Sequence, residues 1–154
     1  MLIDSIPKAL APLNLEKVAP GEYAQTGCHL EVAATPEQMP GVAQAMLKEG
    51  CFLESLTAVD TSKAAFTLVY HFANFHELCR TVVHASLPKE AEAPTISHVY
   101  PGADWYEREV YDLFGIKFAG HPNLKRLLLP EDADFHPLLK EFPAEAETKA
   151  EPEK

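Results

Sequence analysis

Apolar and polar positions divide the chain into short segments of distinct period. Residues Ile3 to Leu13 have helical spacing, weakened by Pro7 and Pro12, and predict a short helix. Gly21 to Gly27 has the composition of a turn region. Cys28, Leu30 and Val32 then alternate with His29, Glu31 and Ala33, which predicts a strand with one buried face. Thr35 offers an N-cap, with Pro36 and Gln38 at the first and third helical positions. Met39, Val42, Ala43 and Met46 continue at helical spacing to Gly50, although Pro40 delays the start of that helix. Three apolar, β-prone runs follow: Cys51 to Val59, Ala65 to Ala73 and Leu78 to Leu87. Their short connections predict antiparallel hairpins. The outcome is an α/β (α+β) fold, a small mixed or antiparallel sheet of about four strands packed with helices.

After the charged loop Pro88 to Pro94, Pro101 and Gly102 break the chain and Gly115 stops the next element. Between them the spacing predicts a helix from Trp105 to Phe114, with Asp104 as N-cap and Glu107 completing a capping box. Tyr106, Val110, Tyr111, Leu113 and Phe114 share its apolar face, and Glu107 falls inside that face. Trp105 lies opposite, beside Glu109 and Asp112. A tryptophan there points to a buried position or a partner interface. From Gly115 no period persists, and Pro122, Pro130, Pro137 and Pro143 punctuate the chain. Yet Leu124, Leu127, Leu128, Leu129, Phe135, Leu138, Leu139 and Phe142 make it strongly apolar. Such a segment must lie against its own domain or against another protein, and another protein is favoured. The organisation expected is a domain over residues 1–100, a helix and extended wrapping segment of the same domain over 101–143, and an acidic disordered tail over 144–154.

Composition narrows the function classes. At 154 residues and 47% apolar, the chain can bury one core. A net charge of −10 excludes a phosphate-binding nucleic-acid surface, and half of that charge lies from Glu131 onward. No apolar run is long enough to span a bilayer and no leader pattern opens the chain, which implies a cytoplasm-like compartment. Cys28, Cys51 and Cys79 are too far apart for a cluster motif and are expected as buried thiols.

Catalytic signatures are missing as well. The chain has no G-x-G-x-x-G, P-loop, G-x-S-x-G or H-E-x-x-H, and its seven histidines are scattered. Glu109 and Asp112 share a helix face and could work with His121 as an acid/base group, which leaves a free-standing enzyme as a competing reading. The basic residues Lys117, His121, Lys125 and Arg126 suit neutralisation of those carboxylates or of a neighbouring acidic surface. By themselves the residues describe a binding module.

One stretch carries a longer pattern. Glu107, Arg108, Glu109, Asp112, Leu113, Phe114, His121 and Lys125 stand in the register E-R-E, two residues, an acid, two apolar residues, six residues, His, three residues, a basic residue. Ala103 to Tyr106 precede it, Phe114-Gly115-Ile116 lie within it, and Leu127 to Asp132 follow it. Leu56 to Asp60 and Val69-Tyr70-His71 extend the likeness over roughly residues 28–143. This resembles the 30-kDa subunit family of respiratory complex I, the proton-pumping NADH:quinone oxidoreductase.

The resemblance implies a subunit with no cofactor of its own, docked beside the large quinone-site subunit and adjacent iron–sulfur subunits. Flavin, iron–sulfur clusters and quinone would belong to those neighbours. It also implies a peripheral position on the cytoplasmic face of the cell membrane. The partner-facing patch is expected at Trp105, Glu109 and Asp112, with Lys125 and Arg126 as charge partners. Phe114, Gly115 and Pro122 complete the signature group. One departure is Leu139, where P-L-R-K-D-[FY] would place an arginine. It implies a differently charged partner surface and keeps open the related subunits of membrane-bound, energy-converting nickel–iron hydrogenases.

Overall fold

Period-two alternation produces the sheet. In the computed structural model, which describes residues 1–143, the strands are β1 (Lys17–Pro20), β2 (Leu30–Ala34), β3 (Phe52–Asp60), β4 (Ala65–Ala73) and β5 (Thr81–Pro88). Their order is β1-β2-β5-β4-β3. Phe66, Leu68, Tyr70 and Phe72 of β4 stand opposite Leu87, Ala85, Val83 and Thr81 of β5, and all eight turn into the core. The hairpins β3–β4 and β4–β5 are antiparallel, as the short connections predict. β5 then inserts beside β2 and runs parallel to it.

Among the described residues four α-helices accompany the sheet: α1 (Leu2–Leu10), α2 (Tyr23–Thr26), α3 (Met39–Lys48) and α4 (Ala103–Phe114). The first helix is shorter than expected, because the chain tightens into a 3-10 turn at Ala11–Leu13 and ends at Asn14 with φ +49°. The capping box at Thr35 and Gln38 forms as the sequence predicts. The buried faces of α1, α3 and α4 share one continuous core with the inner face of the sheet. Cys28, Cys51 and Cys79 are free and buried, and burial raises the Cys51 thiol to about 11.

Several elements differ from the sequence expectation. The sheet gains β1, whose four residues are too few to show a period. The second strand starts at Leu30, and the last at Thr81. The expected turn at Gly21 to Gly27 contains the single helical turn α2. A short parallel ladder joins β6 (Ala93–Pro94) to β7 (Phe118–Ala119) and fixes the segments on either side of α4. Core packing runs through residues 101–143 too, with Val110, Phe114, Ile116 and Phe118 buried and Leu124 and Leu139 against them. The expected acidic tail, 144–154, lies outside the described residues.

Candidate interaction site

The signature helix starts at Ala103, not Trp105, and Gly102 caps it without a side-chain bond. Asp104 therefore sits inside the first turn. Glu107 does not complete a capping box. It is fully buried and reaches sideways to the loop after β6. Its Oε1 accepts from the Ile96 N–H at 2.8 Å, and its Oε2 lies 2.5 Å from Thr95 Oγ1. The His121 side chain is also fully buried, with Nε2 3.2 Å from the Asp104 carbonyl, 3.5 Å from Asp104 Oδ1 and 3.8 Å from Glu107 Oε2. Its Nδ1 accepts from the Asn123 N–H at 3.0 Å, so the hydrogen of the neutral ring sits on Nε2. Burial raises the Glu107 carboxyl above the ordinary glutamate range, against the opposing pull of Thr95, Ile96 and His121.

Asp112 is the second fully buried acid of α4. Its Oδ2 accepts three successive backbone N–H groups, from Leu127, Leu128 and Leu129, at 3.1, 2.7 and 2.9 Å. Its Oδ1 pairs with Arg126 Nη1 at 2.8 Å. Burial alone would raise this carboxyl, but those amides and Arg126 outweigh it and hold the group down at about 2. Arg108, four residues earlier, donates to the carbonyls of Lys125 and Arg126 while its guanidinium lies 5.0 Å from the Trp105 ring. His136 Nδ1–H donates to the Asp112 carbonyl at 2.9 Å, and the Leu138 N–H to the Leu113 carbonyl at 3.1 Å. Farther on, the Lys140 N–H reaches Asp60 Oδ2 at 2.9 Å, and Lys89 Nζ lies 3.1 Å from Asp60 Oδ1.

These contacts correct two expectations. The proline-punctuated strap, residues 120–142, lies along its own domain, because Asp112, Arg108 and Asp60 hold its backbone. Asp112 consequently cannot belong to a partner-facing patch, and Arg126 is its internal counter-charge. No acid/base group forms from Glu109, Asp112 and His121, since Asp112 binds the strap while His121 faces Asp104 and Glu107. Trp105, by contrast, is 60% exposed. So are large side chains on the outer side of the strap: Leu128 at 63%, Leu138 at 51% and Phe135 at 41%. Glu109 is half-buried, and Lys117, Pro122 and Lys125 are exposed. Leu139 packs half-buried on the core, so the missing arginine changes internal packing rather than the charge of an outer surface.

Nothing in the sequence singles out Thr95, Asp60 or His136 as members of this arrangement. Only Glu107, a carboxylate inside an apolar face, signals that a partner is needed, and no local pattern marks which residue supplies it. Gly115 of the signature has two reasons to be glycine. Its φ is +78°, and a Cβ there would lie 2.9 Å from His136 Cδ2. Among the described residues no group of three or more His, Cys, Asp or Glu is placed to hold a metal. Nor, among them, is any helix long and apolar enough to cross a membrane.

Known proteins give this arrangement a context. The family described as "Respiratory-chain NADH dehydrogenase, 30 Kd subunit" matches residues 32–148. The C subunit of NADH-quinone oxidoreductase from Jannaschia sp. is 41% identical over 126 residues, covering 78% of this chain and 61% of that one. Its counterpart from Rhodobacter capsulatus is 48% identical over 93 residues, 59% of this chain and 47% of its own. That of Roseiflexus castenholzii is 39% identical over 130 residues, 79% and 74% respectively. The chain thus spans about half to three quarters of the length of these relatives. A solved chain of the membrane-bound sulfane sulfur reductase, an archaeal respiratory membrane complex, superposes with a TM-score of 0.79. It covers 93% of this chain and 86% of its own at 24% identity, a likeness of fold.

Proposed function

Because this chain belongs to the 30-kDa subunit family of respiratory-chain NADH dehydrogenase, we propose that it serves as a peripheral subunit of a membrane-bound, proton-translocating NADH:quinone oxidoreductase. In this reading it docks against the large quinone-site subunit at the cytoplasmic face, beside the iron–sulfur subunits. It contributes no cofactor and no catalysis of its own, and supports assembly and electron transfer by holding its neighbours in place. The supporting observation is the contrast across the strap: a backbone fixed to the domain by two buried aspartates, and large apolar side chains left facing solvent. An extended segment with Leu128, Phe135 and Leu138 outward, next to an exposed Trp105, has the aromatic and aliphatic anchors of a protein interface.

The related reading, an equivalent subunit of a membrane-bound energy-converting nickel–iron hydrogenase, draws on Leu139 in place of arginine. Leu139 packs against the core, which removes that argument, and the NADH-quinone oxidoreductase subunits among the relatives support the NADH-dependent enzyme. Affinity purification of the tagged chain from host membranes in mild detergent separates the two. Co-purification of flavin- and iron–sulfur-bearing NADH-oxidising subunits is expected. A nickel–iron large subunit with hydrogen-dependent activity would assign the chain to the hydrogenases, and recovery of the chain by itself would remove the docking reading.

A further inference from the structure

We propose that Glu107 is a proton-exchange site, a buried carboxyl that takes up and releases a proton through the hydroxyls of Thr95 and Ser97 to a surface cleft. The cleft, about 300 Å³, is walled by Ser97, His98, Pro101, Asp104, Gly120 and Pro122. Ser97 Oγ lies 2.8 Å from Thr95 Oγ1, which lies 2.5 Å from Glu107 Oε2. Both links between side chains are within hydrogen-bond distance, and the residue at the outer end, Ser97, lines the cleft. A second route from the same cleft, through Asp104 and His121, is broken: Nε2 stops 3.8 Å from the carboxyl oxygen.

The hydrogen bonds are satisfied in both protonation states, which is what a titrating site requires. With the carboxylate ionised, Thr95 donates its one hydroxyl hydrogen to Oε2 and accepts from the Ser97 N–H at 3.1 Å. With the carboxyl protonated, Oε2–H donates to Thr95 Oγ1, which turns its own hydrogen to Ser97 Oγ and keeps the same N–H. Oε1 holds the Ile96 N–H throughout. Release moves one proton at each link: Glu107 to Thr95, Thr95 to Ser97, Ser97 to water in the cleft. The carboxylate is left behind.

Three groups face the carboxyl from the elements packed around it: Asp104 of α4, His121 after β7, and Tyr70 of β4. The Tyr70 hydroxyl is buried and has no hydrogen-bond partner among the described residues. None of the three carries a permanent positive charge, and Arg108 is committed to the strap. A fully buried carboxyl with no fixed cation beside it among the described residues favours its neutral form, and burial lifts its affinity for the proton accordingly.

Infrared spectroscopy of the purified full chain tests the assignment. A protonated-carboxyl stretching band is expected to persist at pH values above the ordinary glutamate value of 4.5, and it should vanish in Glu107→Gln. Transfer to deuterium oxide should shift that band, with the exchange slowed by roughly tenfold in Thr95→Val and in Ser97→Ala. Ser97 is half-buried, so Ser97→Ala should keep the wild-type melting temperature even where the buried substitutions do not. Absence of any protonated band above pH 4.5 overturns the proposal. Unchanged exchange in Ser97→Ala, or exchange slowed only by His121→Gln, overturns the hydroxyl route.

Discussion

Two acids on one helix, five residues apart, behave in opposite ways because their surroundings differ. Asp112 receives three amides and a guanidinium, so its carboxyl is held at about 2, below the ordinary 3.8. Its stabilising contribution is present above 3.8 and is lost as pH falls through about 2; the shift corresponds to roughly 2 kcal/mol. Asp112→Ala would leave those donors unpaired under the strap and should lower stability by about 2–4 kcal/mol. Faster tryptic cleavage after Lys125 and Arg126 would report the loosened strap; wild-type cleavage rates would show that Asp112 is not the anchor. Glu107 has the opposite sign. Its folded value is raised, so the wild-type chain loses stability as pH climbs above 4.5 toward that value. Glu107→Gln carries no such titration, and its melting temperature relative to wild type should therefore rise across the same window. A constant difference from pH 4 upward would contradict the buried neutral carboxyl.

The strap is an element with no regular structure, held by polar anchors at intervals along its length. Asp112 holds residues 127–129, His136 and Leu138 bind the end of α4, and Asp60 holds Lys140. Gly115 lets the chain turn from helix to strap. Gly115→Ala places a Cβ against His136 at φ +78° and should cost about 1–2 kcal/mol, read as a lower denaturant midpoint with unchanged slope. The helix and its glycine stop were legible in the sequence, since period, Gly115 and the acidic stripe are all local. The direction of the strap was not. Apolar richness demands that a segment be covered, yet it does not distinguish the parent domain from a partner. Here the deciding interactions are side-chain-to-backbone bonds between residues 15 to 80 positions apart.

At the scale of the whole molecule, the fold buries three charged signature residues, Glu107, Arg108 and Asp112, while large apolar side chains stay exposed. Arg108 and Asp112 face the strap, whereas Trp105, Leu128 and Leu138 remain outside. Trp105→Ala and Leu128→Asp should each weaken partner recovery by about 30-fold or more, the effect of losing about 2 kcal/mol at an interface anchor. Both residues are exposed, so the melting temperature of the isolated chain should move little. A large fall in melting temperature would mean instead that these side chains support the domain.

The sequence by itself determined what depends on near neighbours: the three consecutive β runs, the capping box at Thr35, the signature helix, the absence of cluster-forming cysteines, and the family. Period and short motifs are local quantities, and one chain suffices to read them. The tertiary structure alone decided the parallel pairing of β5 with β2, the pairing of Glu107 with Thr95, and the burial of Asp112 beneath the strap. Each joins separate parts of the chain through a few polar contacts or a strand insertion. The free energy of such contacts depends on what surrounds them once the core has closed, and no periodicity in the chain records it.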